Sequence, residues 1–200
     1  AQVKQLLELE LEQDVHVLLL LALCAGMRLK DAAMLETKSI SGGFITYTPV
    51  KTMNTSAAKV QVPILPILMS AISELSNSPD QKYLLPRLSN WYSRNSNGLN
   101  RMLLREIHKV TGNSKQNATG KGKIARSEYG YHSLRHTFCT ECARAGVPAT
   151  MLAAMAGDTI ATLDKFYVKL DLAASAIPQL SRIRTTLALA VGGEGAQERE

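Results

Sequence analysis

The chain has no hydrophobic run long enough to cross a bilayer. Its most apolar stretch, VHVLLLLALCA over residues 15–25, is about half of the ~20 residues a spanning helix needs. That stretch follows Glu8, Glu10, Glu12 and Asp14 instead of the basic segment that opens a secretory leader. It therefore reads as a helix buried on most sides. Cysteine is scarce and odd in number, three in all, which argues against a disulfide framework and for a reducing cytosol. Cys139 and Cys142 form a C-x-x-C without a second such pair. A structural zinc needs four ligands, so these thiols read as core. The run Gly120-Lys121-Gly122-Lys123 lacks the full glycine spacing, the preceding strand and the Ser/Thr of a P-loop. There is no internal repeat. Acidic residues are outnumbered, 17 against 23 Lys and Arg, for a net charge of +6. That excess favours a polyanionic partner without proving one.

What is present suits one domain. Two hundred residues with an apolar fraction of 46% bury an ordinary core. The pattern predicts helix over 3–26, broken near Asp14, which can cap the apolar half; Gly26 stops it and Arg28 follows at once. A short helix begins at Lys30, and Asp31 is placed to orient Arg28. Gly42-Gly43 is a hairpin signal. With residues 44–48 and 60–62 alternating, it predicts a small three-stranded antiparallel sheet, with Pro49 at a strand end. Lys51 falls at the close of the middle strand, and Lys59 on the returning one.

Residues 64–75 read as helix and 84–97 as irregular, with Trp91 and Tyr92 as core or rim. Helix returns over 98–110, where Leu99, Leu103 and Ile107 recur at helical spacing and Arg101, Arg105 and Lys109 take other faces. Residues 113–128 form a loop in which Lys115, Lys121, Lys123 and Arg126 could track phosphates or only face water.

The densest information lies in residues 129–169. Ser133 is placed to cap a helix ending near Gly146. Pro148 suits the first turn of a second helix, ended by Gly157, and Thr162 can cap a third that carries Tyr167. The middle helix could be the second half of a helix-turn-helix. However, PATMLAAMA has no Lys, Arg, Asn or Gln to reach base edges, so Met151, Leu152 and Met155 read as core. Folding back, the three helices can gather His132, Arg135 and Tyr167. Arginine offers a planar fork of donors that fits phosphate oxygens, and histidine moves a proton near neutral pH. Tyrosine is a nucleophile whose phenolate can leave again. The set suits attack of a phenol on a phosphodiester.

The run His132-Ser-Leu-Arg135-His136-Thr-Phe, the Ala145-Gly146 turn, Gly157, and Tyr167 nine residues after Asp158 resemble the C-terminal box of the tyrosine recombinases, or phage integrases. Ala25-Gly26-Met27-Arg28, with Asp31 three residues later, is similar to that family's first box. The resemblance spans roughly residues 10–180. It implies an α+β fold, mainly α-helical with a small three-stranded antiparallel sheet. It also implies a catalytic domain over 1–185, a disordered tail over 186–200, and no counterpart here of the family's N-terminal DNA-clamping domain.

The implied activity is site-specific DNA recombination or integration through a 3′-phosphotyrosine. Arg28 and Arg135 would clamp the scissile phosphate and Tyr167 would attack it. Lys51, with Lys59 as rival, would protonate the leaving oxygen, and His132 would take the phenol's proton or hold a phosphate oxygen. Lys59, Arg101, Arg105, Lys121, Lys123, Arg126 and His136 are the candidate DNA contacts. The resemblance implies no metal or nucleotide cofactor and no membrane. It implies double-stranded DNA as partner, a monomer that assembles into a tetramer on DNA, and the cytoplasm of a prokaryote, or of the host of a phage or mobile element.

The chain departs from the family at Asp158, where His or Trp is usual. An ionised carboxylate cannot donate to a phosphate and repels it. Three resolutions stand: Asp158 is protonated or turned away, it pairs with an Arg or Lys, or catalysis is slowed. The alternatives to a recombinase are a catalytically weakened DNA-binding module of the same fold and a type IB topoisomerase-like enzyme.

Overall fold

The computed structural model describes residues 2–51, 53, 58–76, 78, 80–112, 115–116 and 126–166. Its centre is helix α2 (Gln13–Ala25), in which Val17 to Ala22 are completely buried. A helix that is apolar all round must be covered all round. Here α3 (Leu29–Ala33), α4 (Pro66–Ser73), α5 (Pro86–Thr111) and α6 (Tyr131–Arg144) supply the cover. The expected break near Asp14 is a full interruption: α1 (Gln2–Leu7) is a separate short helix packed on α5. Asp14 does not cap α2. The cap position is Glu12, without a side-chain bond, while Asp14 accepts from Arg87 Nε and Nη2 at 2.8 and 2.6 Å. Among the described residues no helix is long and apolar enough to cross a membrane.

The expected sheet forms from β1 (Ile40–Ser41), β2 (Phe44–Tyr47) and β3 (Val60–Pro63), antiparallel throughout, with Ile45 paired to Ile40 and Val62. Gly42 and Gly43, both at positive φ, make the tight β1–β2 turn. Lys51 lies in the turn after β2, four residues past its end, and not on the strand. A two-residue ladder, β4 (Lys115–Gln116) with β5 (Arg126–Ser127), closes the stems of the basic loop.

Four further sequence expectations are corrected. Residues 86–97 are helical: α5 runs from Pro86, which suits its first turn, and kinks at Asn95 (φ −153°, ψ 77°). Burial of Leu88 and packing of Trp91 and Tyr92 on the core override the polar local sequence. Ser133 is not the cap of α6. The helix starts at Tyr131 with Gly130 as cap, and Ser133 Oγ accepts from the Gly130 N–H at 3.1 Å. Helix α7 (Ala149–Ala156) follows Pro148, and α8 (Ile160–Phe166) starts before Thr162. Thr159 caps α8, its Oγ1 accepting from the Thr162 N–H at 3.2 Å. Leu152 is buried and Met155 half-buried as core, but Met151 is exposed.

Candidate active site

The site is built on helix ends. At the end of α2, Gly26 turns left-handed (φ 61°), which only glycine adopts without strain. Its N–H bonds back to Ala22 and that of Met27 to Leu21. Met27, fully buried, pins the exit, so that Arg28 emerges in extended geometry as the cap of α3. A Cβ on Gly26 would stand 2.5 Å from Cδ1 of Phe138; α6 therefore lies directly against this turn.

Arg135, three residues before Phe138 on α6, is 0% exposed. A buried cation needs acceptors, and Arg135 finds them at two helix C-termini, the negative ends of the helix dipoles. Nη1 donates to the Gly26 carbonyl at the end of α2, and Nη2 to Ala156 O at the end of α7 at 2.8 Å. Its third partner is Asp158 Oδ2, also at 2.8 Å from Nη2. Arg28 reaches the same oxygen: its Nη2 lies 2.7 Å from Asp158 Oδ2 and 3.0 Å from Gly157 O. Two guanidiniums separated by over a hundred residues thus converge on a single carboxylate oxygen. Of the three resolutions for Asp158, the ion pair is the observed one. The cup is largely closed, with Arg28 at 18% and Asp158 at 9% side-chain exposure. Arg28 Nη1 is buried without a hydrogen-bond partner among the described residues.

Asp31, expected from its position to orient Arg28, forms no ion pair with it. Its carboxylate, 6% exposed, accepts from the Val50 N–H at 2.9 Å, fastening the turn that presents Lys51. Burial raises its pKa, against the lowering pull of that N–H and of Arg28 and Arg135. On the other side, Gly157 (φ 60°) meets the hairpin so closely that a Cβ would lie 2.9 Å from both Pro49 and Val60. Pro49 lies two residues before Lys51, and Val60 directly follows Lys59. Both lysines are exposed.

His132, one turn before Arg135, keeps an exposed face. Partial burial first, then His136 and the two guanidiniums, hold its pKa down at about 4. It is a neutral imidazole at physiological pH, able to accept a proton. His136 meets it edge-on at 4.7 Å between ring centroids and lines a cleft of about 370 Å³ between α1, α5 and α6. Neither arginine of the cup lines that cleft. Burial also lowers the His136 pKa. Arg101 and Arg105 are exposed on α5. Tyr167, Lys121 and Lys123 lie outside the described residues; Arg126 contributes its backbone to β5. Helix α8 carries the chain from the cup to the residue before Tyr167.

The carbonyls of Gly26, Ala156 and Gly157 are site components that residue types do not advertise. So is Tyr47, whose hydroxyl is buried without a partner among the described residues. Its pKa is raised by burial and then by Asp31, which keeps it a phenol. Cys24 and Cys139 are buried, as core thiols, and Cys142 is half-buried.

A mainly helical domain with a small three-stranded antiparallel sheet is the fold of integrase catalytic domains. The model of the phage integrase family matches residues 1–172, and the chain belongs to that family. Among solved structures, it is similar to XerA recombinase (TM-score 0.63, 18% identity, covering 90% of this chain and 63% of that one). The transposon Tn1549 integrase in complex with transposon right-end DNA gives 0.61 and 18%, covering 92% and 64%. The catalytic domain of bacteriophage HP1 integrase gives 0.55 and 20%, covering 88% and 89%. The chain therefore spans less than two thirds of the first two and nearly all of the HP1 catalytic domain. Comparison with curated proteins finds no match.

Proposed function

We propose that the chain is the catalytic domain of a site-specific tyrosine recombinase acting on double-stranded DNA. The observation that carries this reading is the convergence of Arg28 and Arg135 Nη2 on one anionic oxygen, at 2.7 and 2.8 Å. This is the contact that a non-bridging phosphate oxygen would make, and the same donors stabilise the charge that grows in a pentavalent transition state. Tyr167 Oη attacks phosphorus while its proton passes to neutral His132. The bond to the 5′ oxygen breaks, and Lys51 protonates that oxygen as it leaves. A 3′-phosphotyrosyl link and a 5′-hydroxyl result. Attack by a 5′-hydroxyl reverses the steps and rejoins a strand, so the bond energy is conserved. Exposed Arg101, Arg105 and Lys59 are the candidate backbone contacts, and strand exchange brings protomers together as a tetramer on DNA.

The test is covalent trapping. A nicked suicide duplex carrying the cognate site loses, on cleavage, the short fragment that bears the new 5′-hydroxyl, so the adduct accumulates. The wild type forms a protein–DNA adduct stable to denaturant, and Tyr167→Phe forms none. A second reading, a DNA-binding module without chemistry, is favoured by the carboxylate already seated in the cup. DNA binding without adduct in the wild type selects it.

A further inference from the structure

We infer that Asp158 is a built-in placeholder for the phosphate, which a tetrahedral oxyanion displaces from the two-arginine cup. This rests on reading the cup as the phosphate site and adds how that site is occupied before DNA arrives. Asp158 Oδ2 takes one Nη2 from each arginine, so a phosphate oxygen cannot share that point. Charge explains why a placeholder is useful. Arg135 is completely buried and Arg28 mostly so, and two close guanidiniums without a counterion disfavour the folded state.

The carboxylate is nevertheless an imperfect occupant. It leaves Arg28 Nη1 buried without a partner among the described residues, a costly condition for a donor. The Asp158 carboxylate is tethered to its own backbone and bonds the arginines through Oδ2 alone. A phosphodiester has no such tether, so one non-bridging oxygen can meet the paired Nη2 atoms while the other turns to Nη1. The exchange is therefore toward the better ligand. Its mechanical seat is also present. Asp158 follows left-handed Gly157, its N–H bonds to Ala153 O at 3.0 Å, and it directly precedes Thr159, the cap of α8. Moving the carboxylate out thus bears on the helix that leads to Tyr167.

The test uses the full chain and inorganic phosphate, titrated against chloride at matched ionic strength and read as protection against thermal unfolding. Asp158→Asn melts below the wild type in chloride, yet binds phosphate about tenfold more tightly or better, as follows when a competitor holds about nine cups in ten. Loss of stability with unchanged or weaker phosphate affinity overturns the proposal and makes Asp158 a strut that positions the arginines. If Asp158→Asn does not fold, Asp158→His carries the same test with a side chain that fills the corner without an anion. The wild type gives an independent reading by nuclear magnetic resonance. Phosphate shifts the Asp158 and Thr159 amides together with the Arg135 Nε–H signal; a shift of the arginine signal alone overturns displacement. Adduct formation on the suicide duplex is scored separately. Tighter phosphate without an adduct leaves the placeholder standing and removes the recombinase reading, and an adduct with unchanged phosphate affinity does the reverse.

Discussion

Substitution of Gly26 by alanine should harm the domain for two separable reasons. At φ 61° any L-residue with a Cβ carries roughly 1–2 kcal/mol of backbone strain. The added methyl also stands 2.5 and 2.7 Å from Cδ1 and Cε1 of Phe138, a residue 5% exposed. Forcing a methyl group into a packed core costs about 1–3 kcal/mol. Gly42→Ala isolates the first cost, because Gly42 has nearly the same φ, 57°, and open space around it. The expected losses are therefore roughly 2–5 kcal/mol for Gly26→Ala and 1–2 kcal/mol for Gly42→Ala. Equilibrium urea unfolding of both variants beside the wild type measures them, and in a domain of this size each kcal/mol lowers Tm by about 2–4 °C. The difference between the variants is the steric part. It falls on the ring one helical turn after Arg135, whose guanidinium bonds to the Gly26 carbonyl, so Gly26→Ala should also weaken phosphate binding while Gly42→Ala does not. Equal losses in the two variants would refute the argument: Phe138 would then yield freely, and Gly26 would matter only for its backbone angle.

The lysine assignment separates by leaving group. Lys51→Ala should slow cleavage by about 10²–10⁴-fold, the usual worth of a general acid, and recover on a substrate whose bridging 5′ oxygen is replaced by sulfur, since a thiolate leaves without a proton. Lys59→Ala should show neither the loss nor the recovery. For His132, the folded pKa of about 4 lies below the reference 6.5, so the unfolded chain binds the proton first as pH falls. Stability from this group is intact above pH 6.5 and declines between 6.5 and 4, by less than about 1 kcal/mol because the exposed ring face is screened by water. His132→Gln should flatten that part of the difference in unfolding free energy against pH, measured by urea unfolding at a series of pH values. A steeper slope in the variant would contradict the sign.

Much of the site was legible because its determinants are local. Gly26 and Gly157 end helices where a left-handed residue is required, and Gly42-Gly43 sets the hairpin, so Arg28, Arg135 and the sheet could be placed from neighbouring residues. The long helix α5 was not, because its first half depends on burying Leu88 against other elements. The local signal near Gly98 was nevertheless real. Asn95 leaves helical geometry and its Oδ1 accepts the Gly98 N–H at 2.8 Å, so a second helical stretch does begin there, inside a longer one. Thr159 and Thr162 differ by one turn, and side-chain chemistry alone does not tell which of two threonines caps. Partner choice was least legible. The sign of Asp158 could be read as a conflict with phosphate, but its pairing with Arg28 spans 130 residues. Asp31 looked like the partner of Arg28 by proximity, and instead took a backbone N–H from the hairpin.

The seated carboxylate also changes the ionic bookkeeping of DNA association. A bare arginine that meets a duplex displaces a condensed counterion, which makes affinity fall steeply with salt. In this fold the cup arginines already hold an anion from their own chain, so on the placeholder proposal a strand's phosphate would enter by swapping one negative group for another. On the reading proposed above, the cup acts as an anion exchanger, selecting the phosphate to be cut while adding little to the salt gradient. On that reading the gradient falls to exposed basic side chains such as Arg101 and Arg105.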